Sequence, residues 1–167
     1  MTARMSAIRS IAPDLLASAE LTVDNQGEGF TDITREAVRF LKECGAGEGA
    51  LLLYLRHTSA ALVIQENADP DVQTDLITAL RSLAPVDGPW VHKVEGPDDM
   101  PSHIKSMLTG VALHVPVHGG LLALGTWQGI YLVEHRARSH RREVVLQFVG
   151  SRAAITNEPT KSPSVAG

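Results

Sequence analysis

The chain has 167 residues, 44% of them hydrophobic, which suits one domain with its own core. A net charge of -4 argues against a general nucleic-acid binder, and no apolar run approaches the roughly 18 residues of a membrane-spanning helix. The single cysteine, Cys44, rules out an internal disulfide; with no CxxC pair and no signal-peptide core, it points to a cytoplasmic protein without a thiolate zinc site.

Residues 1–18 read as a peripheral arm. Ala19–Val23 predicts a strand leading into a turn at Asp24–Phe30, rich in Gly, Asn and Asp. Thr31 or Asp32 can cap a helix in which Ile33, Ala37, Phe40 and Leu41 recur at helical spacing, stopped by Gly45. Gly45, Gly47 and Gly49 read as a flexible link into a buried strand, Ala50–Leu55. Ala60–Gln65 predicts a further strand. Asp69-Pro70 is a helix start, because Asp69 can accept from first-turn amides and Pro70 has none to leave unpaired. Val72, Leu76, Leu80 and Leu83 form the apolar stripe of that helix.

Trp90–Glu95 alternates like a strand. Pro101 opens another helix, with Ile104, Met107 and Leu108 as its inner face and Gly110 as its end. Three strands follow, at Val111–Val117, Gly129–His135 and Glu143–Val149. Helices are interspersed early, but the last third is strand after strand, which favours an α+β fold with mostly antiparallel sheet. The reading is one domain over residues 19–150 and a disordered tail over residues 151–167.

The densest chemistry lies between His57 and Asp71, where His57, Thr58, Ser59, Glu66, Asn67, Asp69 and Asp71 stand at the ends of buried elements. A second dense block runs from Gly119 to Arg142. Its Gly125-Thr126-Trp127-Gln128 tetrad can line a pocket, with Trp127 stacking on a flat ring and Gln128 bonding its edge, or place a core tryptophan at a strand start. Arg136–Arg142 holds four arginines in seven positions: a solvated edge, or a phosphate site. Phosphate-loop, dinucleotide, GxSxG and HExxH signatures are absent, so no nucleotide cofactor is expected.

His57, His92 and His103 stand near element ends with acids close by. Each is either a structural histidine or part of a site. Three converging imidazoles can hold a zinc-like ion with an open position, or move a proton near neutral pH. Asp99 lies one helical turn before His103, close enough to share a site.

Taken together, His57-Thr58-Ser59-Ala60, the Glu66–Asp71 run, His92, Asp98–His103, the Gly125–Gln128 tetrad and Glu134-His135-Arg136 resemble the YjbQ-like family of secondary thiamine-phosphate synthases. The resemblance covers roughly residues 19–150. It departs from the family pattern at His118-Gly119-Gly120, where Asn-Gly is usual. It implies β-sandwich subunits with two or three flanking helices, assembled as a homotrimer with sites near subunit contacts. It also implies joining of a pyrimidine-methyl diphosphate to a thiazole phosphate with loss of diphosphate. The family's polar cluster falls on His57, Thr58, Ser59, Glu66, Asn67, Asp69, His92, Asp99, His103, Trp127, Gln128 and Glu134.

Three functional readings follow. In a weak thiamine-phosphate synthase, His57, Glu66, Asp99 and His103 are the catalytic candidates. Thr58, Ser59, Asn67, Asp69, Trp127, Gln128, Glu134, Arg138 and Arg142 would bind substrate, and magnesium would stabilise the leaving diphosphate. In a metal-dependent enzyme of other, hydrolytic chemistry, His57, His92 and His103 are the ligands and Glu66 or Asp99 the base. In a trimeric binding protein, a small phosphorylated or heteroaromatic molecule is held without turnover.

Overall fold

The computed structural model describes residues 2–154. Eight strands and three helices follow one another as β1 (Leu15–Asp24), β2 (Gly29–Asp32), α1 (Thr34–Cys44), β3 (Ala46–Leu55), β4 (Ala60–Glu66), α2 (Pro70–Leu83), α3 (Asp99–Thr109), β5 (Ala112–His118), β6 (Leu121–Leu122), β7 (Gln128–Glu134) and β8 (Arg141–Arg152). The strands form two antiparallel sheets, in the orders β1-β8-β3-β5-β6 and β2-β7-β4. The α+β expectation therefore holds. Strand β8 runs two residues past the expected domain end; the rest of the expected tail, from residue 155, lies outside the described residues.

One core lies between the sheets. Leu51, Leu53, Leu55, Val115, Leu146 and Phe148 come from the larger sheet and Leu62, Ile130 and Leu132 from the smaller one. Alternation along β3 and β8 puts these residues on one face, as a period of two requires. Helix α1 adds Ala37, Phe40 and Leu41. Asp32 accepts from the Thr34 amide at 2.8 Å, and Gly45 turns the chain out of the helix at φ 69°. Helix α2 begins as its sequence predicts: Asp69 accepts from the Asp71 amide at 2.9 Å, and Pro70 is its first residue.

The glycines before Ala50 are not a flexible link. Strand β3 starts at Ala46, and a Cβ on Gly49 would stand 2.3 Å from the Val149 carbonyl oxygen. Glycine is needed there because backbone meets backbone.

Two other expectations change. Trp90–Glu95 is not a strand; it belongs to the irregular connection from Ala84 to Asp98, with Val91 and Val94 more than nine-tenths exposed. Helix α3 packs with the face opposite to the one expected. Asp99, Pro101, Ser102, Lys105 and Ser106 are buried, while Met107 and Leu108 are exposed. Hydrogen bonding explains the inversion. Ser106 donates to the Ala60 carbonyl at 2.8 Å, Ser102 to the His135 carbonyl at 3.0 Å, and Lys105 to Glu28 at 2.7 Å. The polar face of α3 thus meets the carbonyls of Ala60, at the start of β4, and of His135, just past the end of β7.

Candidate metal centre

Helix α3 brings Asp99 and His103 to one face, one turn apart, and the irregular connection before it brings His92. His92 Nε2 lies 2.7 Å from Asp99 Oδ2, and His103 Nε2 lies 3.3 Å from the same oxygen. One donor atom from each of the three residues falls within 4.8 Å of the others. Their burial differs: the Asp99 side chain is 2% exposed, whereas His92 stays open at 42%.

A neighbour outside the group orients the His103 ring. The Thr58 carbonyl can only accept, so His103 Nδ1 donates to it at 2.9 Å, and in the neutral ring Nε2 is left unprotonated toward Asp99. Arg136 fixes the carboxylate: its Nη1 donates to Asp99 Oδ1, and its Nη2 donates to the Glu95 carbonyl at 2.7 Å. Asp98, adjacent in sequence, faces elsewhere and accepts from the Ala137 amide at 2.9 Å. Burial would raise the Asp98 pKa, but the Ala137 amide and Arg136 outweigh it and hold the group below its usual value.

This donor set fits a divalent transition ion. Ligand atoms about 2.0–2.1 Å from a tetrahedral ion stand about 3.3 Å apart. The His103–Asp99 separation already matches, and the His92–Asp99 pair must open by about half an ångström, which an exposed loop histidine can do. Two imidazoles and one carboxylate leave further coordination positions open.

His57 is not part of this group, so the expected three-histidine set is not assembled; Asp99 takes its place. The reason is a competing partner on β8: His57 Nε2 accepts from the Glu143 amide at 3.1 Å, and its Nδ1 lies 3.5 Å from Arg142 Nη1. Burial and the nearby Arg142 guanidinium lower its pKa.

Arg142 and Glu134 are likewise internal. Arg142 Nε and Nη2 each donate to Glu134 at 2.7 Å, and both side chains are at most 6% exposed. Glu134 also accepts from Asn25 Nδ2 at 2.7 Å and the Arg136 amide at 2.9 Å. Burial alone would raise its pKa; Arg142 and that amide more than offset this and keep it ionised. Ser59 Oγ accepts from Arg142 Nη2 at 3.0 Å. A guanidinium so fully engaged has no fork left for a phosphate. Arg138 is exposed.

The remaining expected residues gather elsewhere. Asn67 donates from Nδ2 to the Gln128 carbonyl at 3.2 Å, and its amide donates to the Trp127 carbonyl at 3.1 Å. Gln128 accepts from the Gly125 amide at 2.8 Å, Glu66 pairs with Gln128 across β4 and β7, and Asp69 caps α2. Trp127 is 65% exposed, which removes the core-tryptophan reading. This group sits at the far end of β4 from Ala60, about 20 Å away at about 3.3 Å per strand residue. Between β3 and α3, beside His103, runs an open groove of about 680 Å³ lined by Tyr54, His57, Thr58, Met107 and Val111.

Sequence reading missed Arg136 as the residue that holds Asp99. The only available signal was the adjacency of Glu134 and Arg136 in one block; the pairing with Asp99 spans 37 positions. No helix among the described residues is long and apolar enough to cross a membrane.

Residues 19–151 match the profile of the family described as UPF0047 protein YjbQ-like. A UPF0047 protein of Synechocystis is 45% identical over 131 residues, 78% of this chain and 89% of its own length. The UPF0047 protein YjbQ of Escherichia coli O157:H7 is 41% identical over 78% of this chain and 95% of its own. A YjbQ/UPF0047 crystal structure from Clostridium acetobutylicum is 34% identical, with a TM-score of 0.73 over 78% of this chain and 98% of that one. A structure from Sulfolobus solfataricus is 23% identical, with a TM-score of 0.76 over 81% and 98%, and supports the fold alone. By the family match and these identities, the chain belongs to the UPF0047 family of YjbQ-like proteins.

Proposed function

We propose that this protein is a divalent-metal-dependent enzyme whose centre is His92, Asp99 and His103. The observation that carries the reading is the convergence of two imidazole Nε2 atoms on one carboxylate oxygen, at 2.7 and 3.3 Å. A divalent ion bound there would supply Lewis-acid chemistry, polarising a carbonyl or phosphoryl oxygen or making water more acidic. The chain's own part is positional. Thr58 selects the His103 tautomer, Arg136 orients Asp99, and the groove beside His103 admits a substrate with an apolar body. Hydrolysis is the reaction class this suits best.

The thiamine-phosphate synthase reading has narrower support. Exposed Trp127 can stack on a heteroaromatic ring, and Asn67 is fastened to the backbone beside it. Arg142, however, is occupied by Glu134 and is withdrawn from phosphate binding. Within one chain Trp127 also lies about 20 Å of strand away from the metal centre. A trimer that brings Trp127 of one copy toward the histidines of another would join the two groups. A monomer in light scattering would remove that joint site.

Metal content tests the main reading. Untagged protein should carry about one transition ion per chain, and His92→Ala and Asp99→Asn should lose it while remaining folded. Metal-free wild-type protein that also takes up none on titration would overturn the proposal. Incubation with the pyrimidine diphosphate, the thiazole phosphate and magnesium separates the two activities, since only the synthase yields thiamine phosphate.

A further inference from the structure

We infer that Arg136 is the specificity-determining residue of this centre: it restricts the site to a single carboxylate oxygen and so selects a transition ion over magnesium. The inference rests on the metal centre proposed above. The sequence places two carboxylates side by side, Asp98 and Asp99, at the start of α3. Left to themselves, they would offer up to four oxygens and two negative charges, the surroundings that hard cations such as magnesium and calcium prefer.

Arg136 removes most of that capacity. Its Nη1 holds Asp99 Oδ1, so only Oδ2 faces His92 and His103. Its Nε stands 3.3 Å from Asp98 Oδ2 as an ion pair without a hydrogen bond, and the Ala137 amide fixes the same oxygen, so Asp98 does not join the His92, Asp99 and His103 group. Its Nη2 reaches the Glu95 carbonyl and so pins the connection that carries His92. The guanidinium side chain is only 14% exposed, so this fork is held in place. What remains is two nitrogens and one oxygen, a set that suits zinc, iron, nickel or copper better than magnesium. Arg136 touches neither the ion nor a substrate. It acts through Asp99 and the His92 connection and is a positioning residue.

The test titrates metal-stripped protein with zinc and, separately, with magnesium, in wild type, Arg136→Gln and Arg136→Lys. Wild type should bind zinc at least 100-fold more tightly than magnesium. In Arg136→Gln the zinc affinity should fall 10- to 100-fold, the usual effect of losing a residue that orients a ligand, while magnesium affinity is kept or rises. The ratio of the two affinities should therefore narrow at least tenfold. A merely structural role would weaken both ions together and leave the ratio alone, and narrowing by less than tenfold overturns the inference. If Arg136→Gln does not fold, Arg136→Lys decides by the same ratio, because one ammonium cannot hold Asp99 and the Glu95 carbonyl together. Wild-type protein that binds neither ion overturns the metal centre itself. Wild-type protein that binds zinc while the variants keep its ratio overturns only the role of Arg136.

Discussion

His103 donates from Nδ1 to the Thr58 carbonyl at 2.9 Å, and this bond ties the histidine of α3 to the β3–β4 connection. The connection is itself anchored from below, because Ser59 and His57 both contact Arg142, which is paired with buried Glu134. The polar stretch at His57–Ser59 thus supports the proposed metal centre through His103 and lies outside its three candidate donors. Ser59→Ala should leave the fold intact, since surroundings survive the loss of one hydroxyl, and weaken zinc binding by up to about tenfold. Calorimetric titration reads this directly. Zinc affinity equal to wild type would show that the anchor does not reach His103.

The Glu134–Arg142 pair makes an asymmetric prediction. Glu134→Ala leaves a buried guanidinium without its carboxylate and should cost about 3–5 kcal/mol in urea unfolding. Replacing both residues together, as Glu134→Gln with Arg142→Met, removes both charges and should cost less than the single change. A double variant at least as unstable as Glu134→Ala would mean that the pair is not balanced in this way.

Much of this architecture can be read along the chain. Asp69-Pro70 marks α2 to the residue, and the Asp99–His103 spacing places these two side chains on one helical face. What could not be read depends on partners distant in sequence. Periodicity chose Ile104, Met107 and Leu108 as the inner face of α3. The winning face is polar because Ser102, Lys105 and Ser106 meet carbonyls and a carboxylate from 28 to 135. Trp90–Glu95 alternates convincingly, but it joins neither sheet; His92 instead bonds to Asp99. His57 looks equivalent to His92 and His103 until β8 places the Glu143 amide against it.

Buried His135 sets an acid limit on stability. Its side chain is nearly inaccessible, and its Nε2 lies 3.3 Å from Thr109 Oγ1, which already donates to the Lys105 carbonyl. Nε2 therefore donates, and buried Nδ1 has no hydrogen-bond partner to receive a second proton's bond. Burial first, and then the Lys105 ammonium, lower its pKa from 6.5 to about 4, against smaller opposite effects of Glu134 and Glu28; Arg142 adds to the lowering. Between these values the unfolded chain holds a proton that the folded chain refuses. The stabilisation is complete above pH 6.5 and is lost as pH falls to about 4, at about 1.4 kcal/mol per pH unit. Glu134 and Asp98, both lowered, add losses in the same direction further down. Unfolding free energies across this range should fall on acidification in wild type and more gently in His135→Gln. Parallel slopes would show that His135 is not the group responsible.

Trp127 and Phe148 give a contrast between exposed and core aromatic rings. Phe148 is fully buried between the sheets, so Phe148→Ala leaves a cavity and should cost about 3–5 kcal/mol. Trp127 is 65% exposed, and its backbone carbonyl accepts from the Asn67 amide. Trp127→Ala should therefore change stability by less than about 0.5 kcal/mol, the range of ordinary surface substitutions. A large exposed ring that contributes so little to folding is free to serve a ligand or a neighbouring copy. Chemical unfolding of the two variants side by side checks the difference. A loss of several kcal/mol in Trp127→Ala would return this tryptophan to a structural role and withdraw it from the substrate-binding set.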